Sequence, residues 1–143
     1  MPKIILVGVD GSDSSRKAAS VAAELAADSG ATLHVLTAVD PHRPAVAEDP
    51  AMLGDVRRLT PGEEAEAIAA EIAGTLKGVT PRIESSPIQG KPADALVEEA
   101  KRLGADLIVV GNRRVQGLGR ILGSVATDVA HHAPCDVYIV KTF

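Results

Sequence analysis

Lys3-Ile4-Ile5-Leu6-Val7-Gly8-Val9-Asp10-Gly11-Ser12 is the stretch on which the fold turns. From Ile4 to Val9 it is apolar and rich in β-branched side chains, the pattern of a central parallel strand covered on both faces. Asp10-Gly11-Ser12-Asp13-Ser14 then breaks the run with turn and helix-cap residues. A second run of this kind, Asp106-Leu107-Ile108-Val109-Val110-Gly111, lies far down the chain and ends in another glycine. Two fully buried strands of this type require helices on both sides of the sheet that holds them.

The segments between supply those helices. Residues 15–29 have helical spacing, with Ala18, Ala22, Leu25 and Ala26 on one stripe and Gly30 as the stop. Residues 32–39 read as the second strand, closed by Asp40-Pro41. Residues 40–59 show no period and hold three prolines, so they read as a long loop with a short helix near 52–57. Thr60-Pro61-Gly62-Glu63 is a capping box with proline at the first helical position. The helix it opens is expected to bury Ala65, Ile68, Ile72 and Leu76 and to end at Gly78. Residues 82–86 suit an edge strand. Pro92 opens a helix carrying Leu96, Val97, Ala100 and Leu103, which Gly104 closes. A last helix over 124–132 and a last strand over 136–141, with Val137, Ile139 and Val140 apolar, complete the chain.

Strand and helix alternate throughout, which predicts an α/β fold: a doubly wound, parallel, five-stranded sheet with right-handed crossovers and helices on both faces. At 143 residues the chain suits one domain, 1–143, and a two-domain reading would need more length. In such sheets ligands sit beyond the carboxyl ends of the strands, where the strand order reverses. The first and fourth strands, the most apolar, are the candidates for that central pair.

Composition narrows the function classes. Fifteen basic against nineteen acidic residues give a net charge of −4, and Tyr138 and Phe143 are the only aromatic residues, so a nucleic-acid binder is not expected. No stretch approaches a membrane-spanning length, so no membrane insertion is expected. With Cys135 alone, no intrachain disulfide can form, which suits a cytoplasmic location. No spacing among His34, His42, His131, His132 and Cys135 suggests a metal site. Cys135 reads as a small hydrophobe, the two C-terminal histidines as helix-end residues, and Glu63, Glu64, Glu66 and Glu71 as the wet side of a helix.

The chemistry gathers at the two central strand ends. Asp10 offers acceptor oxygens to a ribose hydroxyl or an exocyclic amine, and Asp10 and Ser12 are equally suited to capping the next helix. The other end reads Gly111-Asn112-Arg113-Arg114-Val115-Gln116-Gly117-Leu118-Gly119-Arg120-Ile121-Leu122-Gly123-Ser124, with four glycines and three arginines in fourteen residues. Gly111 lets backbone approach a ligand. Gly123 and Ser124 begin a helix whose unpaired N–H groups and dipole attract anions, and Arg113, Arg114 and Arg120 are placed to offset phosphate charge. There is no Gly-Lys-Ser/Thr of a P-loop, and Gly8-Val9-Asp10-Gly11 has the wrong spacing for a dinucleotide fingerprint.

Taken in order, Val7-Gly8-Val9-Asp10-Gly11-Ser12, Gly90-Lys91-Pro92-Ala93-Asp94-Ala95, Ala105 through Asn112, Gly123-Ser124 and Ala133-Pro134-Cys135-Asp136-Val137 resemble a universal stress protein over essentially the whole chain. The resemblance implies sheet order 3-2-1-4-5, a homodimer through the strand at 136–141, and, in one branch, ATP or another adenine nucleotide, with or without magnesium. Nucleoside contacts would fall on Asp10, Gly11 and Ser12 and on backbone near Ala38 and Val39. The phosphate path would fall on Gly111, Arg113, Arg114, Gly117, Gly119, Arg120, Gly123, Ser124 and Val125. In ATP-binding relatives the loop runs glycine, two residues, glycine, nine residues, glycine, then serine or threonine. Here Arg114 stands at the second glycine and eight residues intervene, with Gly117 or Gly119 supplying flexibility instead. These departures favour nucleoside recognition over triphosphate recognition and leave AMP or cyclic AMP open.

The reading that follows is a stress or signalling protein that responds to an adenine nucleotide and passes the signal to a regulatory protein partner. The alternatives are a homodimeric interaction protein without a ligand and, more distantly, a slow ATPase. No catalytic residue is assigned, since neither a general base nor a Walker-type lysine and magnesium pair is evident.

Overall fold

The computed structural model describes residues 2–41, 59–112 and 123–142. Its elements run β1 (Ile4–Gly8), α1 (Asp13–Ser29), β2 (Thr32–Val39), α2 (Pro61–Leu76), β3 (Ile83–Gln89), α3 (Pro92–Leu103), β4 (Leu107–Asn112), α4 (Ser124–His132) and β5 (Asp136–Lys141). All four strand pairings are parallel and the order is β3-β2-β1-β4-β5, so the direction of winding reverses between β1 and β4. The expected architecture and the expected central pair are both present.

Successive residues of β1 enter opposite cores, as a strand with a helical layer on each side demands. Ile5, Val7 and Val9 pack with α1 and α2, while Leu6 packs with α3 and α4. In α1 the buried face is almost all alanine, with Ala18, Ala19, Ala22, Ala23 and Ala26 fully excluded from water. Such short side chains let the helix axis lie close to the sheet.

Four local expectations change. Helix α1 begins at Asp13, two residues earlier than its apolar stripe suggests, because Ser12 caps it by accepting from Ser15 N–H at 3.2 Å. Helix α2 has the expected capping box but ends on Lys77 in right-handed geometry; Gly78 does not take a left-handed conformation. Val79 N–H and Thr80 N–H both bond to the Leu76 carbonyl instead, closing the helix with a tight turn. Ile68 is only half-buried, and Ala69 and Ala73 share the core face with Ala65, Ile72 and Leu76. Strand β3 runs three residues past the expected Ser86 to Gln89, through Pro87. The expected helix near 52–57 lies outside the described residues, as does most of the 40–59 loop.

Candidate functional site

Above the carboxyl ends of β1 and β4 the sheet opens into a cleft of about 530 Å³, within the usual range of small-molecule pockets. One wall is the end of β1 and the start of α1: Gly8, Val9, Asp10, Ser12, Ser14 and Ser15. The opposite wall is Val110 and Gly111 of β4 with residues 123–126 at the start of α4. Leu36 and Ala38 of β2 with Asp40 just after it form one side, and Ile88, Pro92 and Leu96 supply an apolar floor. The two strand ends read from the sequence thus face each other across one cavity.

The polar groups of the first wall are largely committed to shaping it. Asp10 Oδ1 accepts Ser12 N–H at 2.9 Å, and Asp10 N–H donates to Ser15 Oγ at 3.2 Å. Ser15 Oγ donates in turn to the Ser12 carbonyl at 3.0 Å. Ser12 caps α1 through its hydroxyl, as the helix-capping reading expects, whereas the Asp10 carboxylate closes the turn just before the helix. A carboxylate has further lone pairs, so the turn and a ligand contact are compatible.

On β2 the ladder settles which backbone faces the cleft. Thr32 N–H bonds to Lys3 C=O and Val9 N–H bonds to Leu36 C=O at 2.8 Å, so even-numbered β2 residues point toward β1. The register stops at Gly8 opposite Leu36, because the chain turns away at Asp10. Ala38, the next residue pointing that way, carries its N–H and C=O past the end of β1 and lines the cleft. Val39 does not: its carbonyl accepts from Gly90 N–H at 3.0 Å on the β3 side. Of the two expected backbone contacts, Ala38 is at the site and Val39 is turned from it.

Gly11 is likewise off the cleft lining. Its φ of +86° makes the turn into α1, and a Cβ there would meet Ile68 of α2. Gly111 lines the cleft, yet a Cβ on it would sit 3.2 Å from Ser14 O, Ser14 Oγ and Thr142 Cγ2. The absence of a side chain at this position thus lets α1 and the C-terminal tail pack closely on β4 beside the cleft.

At the far wall, helix α4 has Gly123 as its N-cap and no side-chain cap. Its first ladder bond is Thr127 N–H to Gly123 C=O, leaving Ser124, Val125 and Ala126 N–H groups at a helix start that opens on the cleft. Gly123, Ser124 and Val125 line the cleft at the start of α4. Arg113, Arg114, Gly117, Gly119 and Arg120 lie outside the described residues.

Sequence reasoning missed Asp40, Ser14 and the apolar floor. Asp40 follows a strand in the sheet's carboxyl-terminal layer, the one signal that would have found it. Leu96 reads as ordinary helix core, Pro92 as a helix opener and Ile88 lies past the expected strand, so none of them carries such a signal.

Comparison with known proteins agrees with this fold. A model of the universal stress protein family matches residues 1–141. The chain belongs to that family. A universal stress protein encoded in the QAH/OAS sulfhydrylase 3' region of Thermus aquaticus is 40% identical over 99% of this chain and 100% of its own length. Universal stress protein Rv1636 of Mycobacterium tuberculosis is 38% identical over 98% and 97%. A crystal structure of a universal stress protein in complex with cAMP superposes with a TM-score of 0.74 at 37% identity, covering 99% of this chain and 98% of the other. As for a membrane, no helix among the described residues is long and apolar enough to cross one.

Proposed function

We propose that this universal stress protein binds an adenine nucleotide in the cleft between β1 and β4 and acts as a ligand-responsive regulator. The observation that carries the reading is the polarity of the cleft. At one end Ala38 offers an adjacent N–H and C=O, a donor and an acceptor suited to the edge of a purine. The Asp10 and Asp40 carboxylates and the Ser12 hydroxyl lie beside it and suit a ribose. At the other end the start of α4 supplies backbone N–H groups, the Ser124 hydroxyl and the positive end of the helix dipole, which suit a phosphate. Between them Leu36, Ile88 and Leu96 provide apolar surface for the base. The relative crystallised with cAMP is consistent with such a ligand.

Calorimetric titration of nucleotide-stripped protein with ATP, ADP, AMP and cAMP, each with and without magnesium, tests this. We expect saturable binding of at least one, weakened by Asp10→Ala and by Ser124→Ala. No saturable heat for any of the four overturns the reading and leaves a ligand-free interaction protein.

The same molecule is proposed to form a homodimer through β5. The bonds Leu33 N–H to Arg82 C=O and Gly90 N–H to Val39 C=O set the even-numbered residues of β3 toward β2. Pro87 therefore falls on the outward side, where its missing N–H blunts that edge against strand addition. The β5 edge, Asp136–Lys141, contains no proline and carries Tyr138, 45% exposed.

A further inference from the structure

Asn112 ends β4 and is 8% exposed. Its side-chain Oδ1 accepts from Gly123 N–H at 2.8 Å, joining the last residue of the strand to the N-cap of α4. Its main-chain carbonyl accepts from Thr142 Oγ1, also at 2.8 Å. A threonine hydroxyl has one hydrogen, and Thr142 commits it to that carbonyl. In the 2.6 Å contact between Ser14 Oγ and Thr142 Oγ1, Ser14 is therefore the donor. The result is a directed chain of hydrogen bonds from α1 through the tail after β5 to Asn112, which in turn receives the start of α4. The close fit of Gly111 against Ser14 and Thr142 packs the same junction.

We propose that Asn112, clasped between Thr142 and Gly123, is the positioning residue for the phosphate end of the cleft. The inference rests on the nucleotide-binding reading above and deepens it. Gly123 has no side chain to cap α4, and glycine backbone is the least restricted of any residue. With only its carbonyl held, by Thr127 N–H, the Gly123 backbone would keep freedom on its N-terminal side, and the three N–H groups after it would be less firmly aimed. Asn112 removes that freedom by engaging the Gly123 N–H, which leaves the Ser124, Val125 and Ala126 N–H groups for an anion. Donors held in place before the ligand arrives bind it without the cost of ordering them. The acceptor is also neutral, so it orients the helix start without repelling a phosphate, as an aspartate would.

The test compares adenosine with AMP by calorimetry, together with hydrogen exchange of the Gly123 amide by NMR, in the full chain. Asn112→Leu keeps the volume and removes the acceptor. We expect roughly tenfold faster Gly123 exchange and about tenfold weaker AMP binding, with adenosine changed less than about threefold. Asn112→Asp should keep Gly123 protected and adenosine bound while weakening AMP, and added salt should shrink that loss. Thr142→Val should act in the direction of Asn112→Leu and Thr142→Ser should restore the wild type; lying outside the sheet and only half-buried, Thr142 gives a readout even if Asn112→Leu fails to fold. The proposal is overturned if Asn112→Leu, or Thr142→Val in its place, leaves Gly123 protection and AMP affinity unchanged. Equal losses for adenosine and AMP overturn it too. If the wild type binds neither probe while Gly123 is protected only when Asn112 is present, the nucleotide reading falls and the clasp alone stands.

Discussion

Asp106 shows how one side chain can join two strands. Its Oδ2 accepts from both Lys3 N–H, at 2.7 Å, and Ile4 N–H, at 3.0 Å, while its own N–H bonds to the Ile4 carbonyl at 2.9 Å. The start of β1 is thereby stitched to the start of β4. These two backbone donors stabilise the carboxylate and hold its pKa below the ordinary value. A depressed native pKa means the unfolded chain takes up the proton first, so the contribution to stability is present above the unfolded pKa. It is lost as pH falls through the folded one. Asp106→Asn keeps an acceptor oxygen but loses the charge, and should therefore lower stability at neutral pH by less than about 1 kcal/mol, since the carboxylate is exposed to solvent screening. Thermal melts should show the gap between wild type and variant closing as the medium is acidified below the ordinary carboxylate range. A gap that stays constant down to strong acid would show that the charge is irrelevant. At this scale the sequence is least readable. Asp10 and Ser12 could be recognised as turn and cap residues because their partners lie within a few residues, but Ser14 and Thr142 are 128 positions apart. No local spacing announces such a contact. The crowding of Gly111 by Ser14 and Thr142 is hidden for the same reason, since those neighbours are far apart in the sequence.

Elements are read more faithfully, because their signals are local. Thr60 and Glu63 form the reciprocal pair that their spacing implies, with Glu63 N–H to Thr60 Oγ1 at 3.1 Å and Thr60 N–H to Glu63 Oε1 at 3.3 Å. Thr60→Ala removes one acceptor from the first turn of α2 and should cost about 1 kcal/mol, a fall in melting temperature of roughly 4 °C. Thr60→Ser should recover most of it; an alanine variant as stable as the wild type would mean that packing alone defines the helix start. Gly30 and Gly104 end their helices in left-handed conformations, at φ +72° and +66°, as their positions after the apolar stripes foretell. Gly78 misleads because a glycine near a helix end is a permission, not an instruction: the turn at Leu76 closes without it. The strand expected over 82–86 stops just before Pro87, whereas β3 runs through it to Gln89. Proline is excluded only where its N–H would face a neighbouring strand, and that depends on sheet order, a property of no single element.

The whole molecule has two sheet edges, and they are not equivalent. On β3 the outward-facing Pro87 interrupts the row of donors, and Glu84, Ser85 and Ser86 are exposed beside it. On β5 no such interruption occurs. Pairing of two six-residue strands alone falls short of the roughly 1,200–2,000 Å² that a stable association buries, so side chains flanking the strand must contribute. Tyr138 is the large one available, and it stands clear of the packing that engages Val137 and Ile139. That distinction decides which variant is informative. Ile139→Asp would place a charge against the α3 and α4 core and confound dissociation with unfolding. Tyr138→Asp places two like charges across a twofold edge while leaving the core intact. We expect light scattering at micromolar concentration to give a dimer for the wild type and a monomer for Tyr138→Asp, with melting temperature lowered only by the lost association. A monomeric wild type would remove the β5 interface altogether, and a Tyr138→Asp dimer would move it to another face. Because Thr142 follows β5 directly and bonds to the end of β4, a strand added at that edge would also bear on the cleft. Nucleotide affinity measured across the dissociation range should then change as dimers form, whereas an affinity independent of protein concentration would separate the two surfaces.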